Sequence, residues 1–439
     1  MQTPVKTAHR RIEQAWPRCS RIIAMNSFTV LFLIAFAAGL ILQLWLATRQ
    51  ARHIRAHAAA VPEAFADRIT LAQHQKAANY SLARLGVERW DLLLGMLVLL
   101  GWTIGGGLNT LDTAINSLGL GSLWAGVALI LVTVLIGGLI ELPLSIWQTF
   151  GIEARYGFNR NTPAGFIKDK LLGVILTLLL GVPLIAIILW LMSGAGDLWW
   201  LWAWLVWMGF SLLLTWAYPI LIAPLFNKFK PLQDAALRTR LEALLARCGF
   251  KSNGMFIMDG SRRSAHGNAY FTGFGANKRI VFFDTLLDGL EGDEVEAVLA
   301  HELGHFKRRH IVKMLAVSSI LSLCGLALLG WLAQQAWFYH GLGVERATPA
   351  LALLLFMLIL PVFTVFISPL MASFSRRHEF EADDFAAEQT NPLHLISGLV
   401  KMYRDNASTL TPDPLYSAFY HSHPPAPVRI AHLSSKIPV

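Results

Sequence analysis

The sequence predicts a mainly α-helical membrane protein with seven transmembrane helices and a small α+β domain. Hydrophobic residues make up 55% of the 439 residues, only 15% are charged, and the mean hydropathy is +0.49. Soluble globular proteins are less apolar than this. Several apolar runs also reach the roughly 20 residues that cross a bilayer. These observations exclude a soluble protein and indicate a lipid bilayer as the surroundings of the chain.

The apolar runs give seven predicted spans. They cover residues 27–46, 92–108, 123–147, 171–192, 198–222, 311–337 and 349–371. The first run exceeds the core of a typical signal peptide, so we expect it to stay in the protein. The third carries Glu141, and a carboxylate in a span is a functional candidate unless it lies at the interface, where it costs little.

The spans divide the chain into five parts. These are a basic N-terminal tail at 1–24, a five-helix membrane region with two polar loops at 25–222, a polar domain at 223–310, helices six and seven at 311–371, and a second polar part at 372–439. An odd number of spans puts the long polar segments on one side of the membrane. That side holds most of the Lys and Arg residues, which makes it cytoplasmic.

The basic tail at 1–24 falls on the opposite side and conflicts with this orientation. A start of synthesis at Met25 would remove the conflict. The net charge of +9 comes from residues scattered at the ends of the apolar runs. It fits anchoring at the membrane surface, and we expect no nucleic-acid partner. The three cysteines are far apart and indicate neither a disulfide framework nor a cysteine metal site.

The segment 223–310 predicts a small α+β domain. An amphipathic helix is expected at 234–248, and strands are expected at 255–258, 268–273 and 279–283. Gly275-Ala276-Asn277 predicts a turn that pairs the last two strands as a hairpin. A helix at 293–310 closes the domain, with Asp293 as its N-cap and Glu296 completing a capping box.

That last helix carries His301-Glu302-Leu303-Gly304-His305. Residues four apart lie on one helix face, so the two imidazoles can bind one ion. Glu302 sits beside them and can take a proton from a water molecule. This H-E-x-x-H arrangement is typical of zinc metallopeptidases. The alternative is a helix with two solvated histidines, which a third ligand would exclude.

A third ligand is expected just after the seventh span. Spans six and seven form a hairpin that returns the chain to the helix of the two histidines. Glu379 and Asp383 lie four apart on a predicted helix there and share a face. By spacing alone, Glu379, Glu381 and His378 all qualify as the third ligand. Asp383 could accept a hydrogen bond from a ligating imidazole. An exposed charged helix is the alternative.

Six motifs, spread from about residue 27 to residue 430, carry a resemblance to a known family. They are YGFNRNT at 156–162, APLFNKFKPL at 223–232, HGNAYFTGFGANKRIVFFDTLL at 266–287, HELGH at 301–305, SRRHEFEAD at 375–383, and HSHPP at 421–425 with Arg429. Through them the chain resembles the Ste24 family, the CAAX prenyl protease type 1 branch of the M48 zinc peptidases. HELGH alone would not be specific.

The resemblance implies seven long helices around a water-filled chamber, closed by a gluzincin-type zinc peptidase domain. This domain would comprise residues 223–310 and 372–439 and bind one Zn²⁺ per chain. Among the three candidates, the resemblance selects Glu379 as the ligand beside His301 and His305. It gives Asp383 a supporting role.

The resemblance also implies residues that bind the substrate. His266, Asn268 and Ala269 would lie on an edge strand that pairs with the substrate backbone. An unpaired strand edge can indeed bind an extended peptide by β-augmentation. His423 and Arg429 would lie near the active site, with His423 as a catalytic residue that stabilises the oxyanion or the substrate. Packing of the C-terminal part is the alternative role for both residues.

The predicted function is that of an integral-membrane zinc metalloendopeptidase. It would hydrolyse peptide bonds near the C-terminus of prenylated or other membrane-associated peptides, with Glu302 as the catalytic base. The predicted location is a bacterial inner membrane, with the active site on the cytoplasmic side. A proteolytically silent scaffold or chaperone with a retained zinc site is the alternative, although a structural site would not require Glu302. A transporter is disfavoured because the spans hold almost no ionisable residues.

Overall fold

The structure is a computed structural model that describes residues 26–272 and 279–437. The basic tail, Met25 and the turn predicted at 275–277 lie outside these residues. The part before the peptidase domain consists of long apolar helices. They are α1 (Ser27–His57), α2 (Leu71–Trp102), α3 (Gly107–Asn116), α4 (Ser122–Ile146), α5 (Pro163–Gly194) and α6 (Trp199–Ala217).

The α+β domain follows α6. Its elements are β1 (Phe229–Pro231), α7 (Ala235–Arg247), β2 (Met255–Met258), β3 (Ala269–Thr272), β4 (Arg279–Phe283), α8 (Asp284–Gly289) and α9 (Gly292–Lys307). The predicted amphipathic helix and all three predicted strands are present. Strand β1 was not predicted, because its sequence shows no alternation of apolar residues.

The remaining elements are again helical. They are α10 (His310–Leu332), α11 (Ala336–Gly341), α12 (Pro349–Thr364), α13 (Ser368–Gln389), α14 (Pro392–Asp405), α15 (Pro414–Tyr420) and α16 (Ala426–Ser434). Thr348 caps α12 by accepting a hydrogen bond from Leu351 N, and Pro349 occupies the first turn. Both are common signals for the start of a helix.

Six helices in the described residues are long and apolar enough to cross a membrane, and there are seven if the bent pair α2–α3 counts as one span. The second span was predicted to continue to residue 108. Instead, α2 ends at Trp102 and the chain bends by 56° into α3. Gly106 at the bend has φ of 77°, a conformation that glycine adopts easily.

The structure corrects the prediction of polar loops at 47–90 and 148–170, because both segments are largely helical. Helix α1 continues to His57, and α2 already begins at Leu71. Thr70 and Gln73 form a capping box at the start of α2. Hydropathy marks where a helix leaves the apolar layer, whereas its backbone hydrogen bonds can continue well beyond that point.

A four-stranded sheet forms one side of the peptidase domain, in the order β1-β2-β4-β3. β2 and β4 are parallel, and β3 and β4 form the predicted antiparallel pair, with Tyr270 opposite Val281. Strand β3 therefore lies at an edge of the sheet. Its other side is not paired with any strand among the described residues.

Helix α9 packs on the sheet, but its ends differ from the prediction. Its N-cap is Glu291, which forms a capping box with Glu294, rather than Asp293 with Glu296. Glu296 instead pairs with Arg240 at 2.6 Å. The helix stops at Lys307, because Arg309 has φ of 57° and starts a new direction for α10. Sequence spacing alone does not distinguish two caps only two residues apart.

The two largest apolar cores among the described residues lie in different parts of the molecule. One lies among α1, α4, α5 and α12 and includes Phe32 and Leu129. The other lies between the sheet and helices α7, α9, α13 and α14. Phe65 and Ile69, from the connection between α1 and α2, are buried in this second core. The membrane helices are thereby tied to the peptidase domain.

Two cavities of about 680 and 760 Å³ lie between the membrane helices. Asp91 and Glu141 line both of them. Glu141 therefore borders open space within the helix bundle. A single chamber that joins such spaces stays a prediction.

Helices α9 and α13 approach closely at Gly304. A Cβ atom at this position would lie 2.9 Å from Ala382 Cα and 3.0 Å from the Ala382 carbonyl oxygen. Both are backbone atoms that cannot rotate away. Glycine is therefore required here by the distance between the two helices.

Gly304→Val should lower the free energy of unfolding by about 1–3 kcal/mol, because the side chain overpacks the α9–α13 contact. Thermal unfolding of the purified protein in detergent measures this. Gly292→Val is the matched control, since the nearest atom to a Cβ there is the mobile Leu237 Cδ1 at 3.7 Å. Equal stability of the two variants would contradict this account of the helix contact.

Candidate metal centre and catalytic site

Three side chains converge where α9 meets α13. His301, His305 and Glu379 each offer one ligand atom, and these atoms lie within 4.8 Å of one another. The two imidazole Nε2 atoms are 3.2 Å apart. Glu379 Oε2 lies 3.5 Å from His301 Nε2, and its Oε1 lies 3.3 Å from His305 Nε2. The helical i, i+4 spacing presents the histidines, and the packing of α13 brings the carboxylate.

The alternative third ligands lie elsewhere. Glu381 Oε2 is 2.9 Å from His310 Nε2 and 3.2 Å from Lys313 Nζ. His378 stacks on His310, with ring centroids 4.0 Å apart. Of the three candidates left open by spacing, the structure brings only Glu379 to the histidine pair.

The donor set fits a zinc ion. Two imidazole nitrogens and a carboxylate oxygen around one point form a three-ligand set that leaves a fourth position open. Two neutral nitrogen lone pairs at 3.2 Å repel each other unless a proton or a cation lies between them. The two Nε2 atoms therefore need a shared proton or cation between them, and the adjacent carboxylate of Glu379 fits a cation.

A buried ion pair between Asp383 and Arg429 contacts the Nδ1 atom of His301. Asp383 Oδ1 lies 2.9 Å from His301 Nδ1, and Arg429 Nε donates to Asp383 Oδ2 at 2.8 Å. Burial by itself lowers the pKa of Arg429, but the hydrogen bonds and charge of Asp383 raise it above its ordinary value. Arg429 stays charged and orients Asp383, which fixes the proton of His301 on Nδ1.

His423 and Glu302 border the trio from two directions. His423 Nδ1 lies 2.8 Å from Glu379 Oε2, and its side chain is 66% exposed. Glu302 is half-buried and lines a cavity of about 430 Å³ together with His305 and Glu379. A carboxylate beside the trio, but outside it, is in the position of a proton acceptor.

Of the three substrate residues predicted to lie on the edge strand, only Ala269 is on β3, and His266 and Asn268 precede it. Ala269 begins β3, and the carbonyl oxygen of Asn268 accepts a hydrogen bond from Phe283 N at 2.9 Å. Tyr270 and Phe271 of the same strand line the cavity next to Glu302. The free strand edge therefore runs past the candidate base.

His266 lies among residues of the membrane helices. Its ring stacks on Phe158 with centroids 4.3 Å apart, and its Nε2 lies 3.5 Å from Glu153 Oε2. Tyr80 donates a hydrogen bond to Glu153 Oε1 at 2.6 Å. Sequence reasoning did not identify this cluster, because its members are far apart in the chain.

Comparison with known proteins covers almost the whole chain. The family model described as CAAX prenyl protease N-terminal, five membrane helices, matches residues 50–228. The model of peptidase family M48 matches residues 231–437. Together the two models cover the chain from the last turns of α1 onward, including all residues of the candidate site.

Individual relatives and a solved structure support the same family assignment as the two models. The CAAX prenyl protease 1 homolog of Dictyostelium discoideum is 31% identical over 405 residues, which cover 86% of this chain and 90% of the relative. The human homolog is 32% identical, with 70% and 73% covered. The crystal structure of S. mikatae Ste24p is similar with a TM-score of 0.86 and 27% identity, over 93% of this chain and 99% of that one. The chain therefore belongs to peptidase family M48, as its motifs predicted, and is a multi-pass membrane zinc metalloprotease.

Proposed function

We propose that this enzyme hydrolyses peptide bonds near the C-terminus of prenylated or other membrane-associated peptides. One zinc ion per chain would be held by His301, His305 and Glu379. The observation that carries this proposal is the convergence of three ligand atoms within 4.8 Å, beside a carboxylate that is not a ligand. The relatives named CAAX prenyl protease 1 support the substrate class.

Zinc in this position would polarise the scissile carbonyl and lower the pKa of a water molecule towards about 7. Glu302 takes the proton of that water as it attacks, and passes it to the nitrogen of the leaving amine. His423 reaches the trio from the solvent side, so that its ring can donate a hydrogen bond to the developing oxyanion. Arg429 would act through Asp383 and through its own contact of 3.5 Å with Glu379 Oε2.

The edge strand would hold the substrate. An extended peptide can add to the free edge of β3 by main-chain hydrogen bonds at Ala269. Asn268, whose carbonyl oxygen already accepts from Phe283 N, would contact the peptide through its side chain. His266 would bind the substrate from the segment before β3, where Glu153 and Phe158 hold its ring in place. The peptide then lies along the wall of the cavity that contains Glu302.

That cavity suits an apolar substrate group. Apart from Glu302 and the histidines, most of its lining is aromatic or aliphatic. The apolar lining residues are Tyr270, Phe271, Phe306, Ile311, Met314 and Leu315. Three of them belong to the first turns of α10, an apolar helix long enough to cross the membrane. A prenyl chain or an apolar side chain could thus reach the site from the bilayer.

We further propose a bacterial inner membrane as the location, with the active site on the cytoplasmic side. Few cysteines and an excess of Lys and Arg in the polar segments support this assignment.

Glu302→Ala should lower the turnover number by about 10²–10⁴-fold, because the proton acceptor is lost, while zinc stays bound. The measurement is cleavage of a farnesylated C-a-a-X peptide by purified protein, with bound zinc determined in parallel. Glu296→Ala is the matched control, since this carboxylate lies on the same helix and pairs with Arg240. A chelator should abolish wild-type cleavage. Retained proteolysis in Glu302→Ala would contradict the role of Glu302.

Ser318→Trp should fill the cavity next to Glu302 and raise KM for the farnesylated peptide by about tenfold. This equals the loss of about two buried methylene groups at about 0.8 kcal/mol each. KM for an unprenylated peptide should change less. Leu321→Trp is the control, because Leu321 is an exposed residue of the same helix outside the cavity lining.

Equal effects of Ser318→Trp on both peptides would contradict a prenyl site in this cavity. If wild-type protein with one bound zinc does not cleave the farnesylated peptide, unprenylated membrane proteins become the substrates to test.

A further inference from the structure

The two ring nitrogens of His305 have different surroundings. Its Nε2 faces Glu379 Oε1 at 3.3 Å and belongs to the proposed metal centre. Its Nδ1 points the other way and lies 3.0 Å from Nδ1 of His310. Because two imidazole nitrogens at this distance can share only one proton, one ring must donate and the other must accept.

A helix break creates this contact. His310 follows His305 by five residues, so on a continuous helix their side chains would point about 140° apart. Helix α9 ends at Lys307, and Arg309 adopts φ of 57°, which is uncommon for a residue other than glycine. The break turns the start of α10 so that His310 faces back towards His305.

The Nε2 atom and the ring face of His310 are also held by contacts. Its Nε2 lies 2.9 Å from Glu381 Oε2, and its ring stacks on His378 with an angle of 11° between the planes. His310 is only 3% exposed. An ionised carboxylate can only accept, so the proton of His310 lies on Nε2 and its Nδ1 is an acceptor.

These contacts determine the donor and the acceptor in each hydrogen bond from Glu381 through His310 to His305. His305 must carry its proton on Nδ1 and donate it to His310, which leaves the lone pair of Nε2 free for a metal ion. His301 obtains the same tautomer directly from Asp383 at 2.9 Å. His305 obtains this tautomer from the carboxylate of Glu381, with the ring of His310 between them.

We propose that His310 is a positioning residue for the metal ligand His305, with Glu381 fixing the tautomer of His310. The strained Arg309 and the stacked His378 hold His310 in place. This inference rests on the proposed metal centre and adds an oriented partner for its second histidine. Partners of this kind are typically worth about 10–100-fold in metal affinity or activity.

The test measures zinc affinity of the full-length purified protein by competition with a chelator. His310→Leu should weaken zinc binding by about 10–100-fold and change the visible absorption spectrum of the cobalt-substituted protein. His310→Asn places an acceptor oxygen near the position of Nδ1 and should restore most of the affinity and the wild-type spectrum. A purely structural role of His310 would not produce this difference between Leu and Asn in two folded proteins.

Three further variants keep the test decisive. Glu381→Ala alters a partly exposed residue and should weaken zinc binding in the same direction. Glu388→Ala, on the same helix and exposed, should leave it unchanged. Arg309→Gly should also leave it unchanged, because glycine adopts positive φ without strain.

Wild-type zinc affinity and cobalt spectrum in His310→Leu would overturn the inference while the metal centre stands. If that variant does not fold, unchanged zinc affinity in Glu381→Ala overturns it instead. Absence of zinc binding by the wild-type protein would overturn the proposed metal centre together with this inference.

Discussion

The contact between α9 and α13 at Gly304 sets the distance between the histidine pair and Glu379. Gly304 lies on the helix between the two histidines, and Ala382 lies three residues after Glu379. With a Cβ only 2.9 Å from the neighbouring backbone, any larger residue would push the two helices apart. The ligand distances of 3.2 to 3.5 Å therefore depend on a position without a side chain.

Charge burial is the second constraint on the site. Asp383 and Arg429 are 0% and 7% exposed, and each satisfies the other. Removing one partner of a buried pair leaves an uncompensated charge, which is strongly destabilising. The C-terminal helix α16 is thereby tied to α13 and, through His301, to α9. The last part of the chain thus completes a site whose first part lies more than a hundred residues earlier.

The membrane helices also contribute to the placement of the edge strand. Arg263 forms two hydrogen bonds of 2.7 Å with Asp169 of α5, and Ala265 N donates to the Phe158 carbonyl at 3.0 Å. These contacts anchor the segment ahead of β3. They give a structural reason for the YGFNRNT motif, whose Phe158 also stacks on His266. The strand proposed to hold the substrate is consequently fixed to the membrane part rather than to the peptidase domain alone.

The sequence by itself determined the fold class, the apolar spans, the strand at 255–258 and the shared face of His301 and His305, because each of these follows from spacing or hydropathy within one element. Spacing left Glu379, Glu381 and His378 open, and only the resemblance selected among them. The tertiary structure decided what spacing cannot express. The separation of α9 and α13 and the position of His310 beside Glu381 depend on contacts between residues distant in the chain. The helical continuation of α1 and α2 was missed because hydropathy reports only the apolar part of a helix.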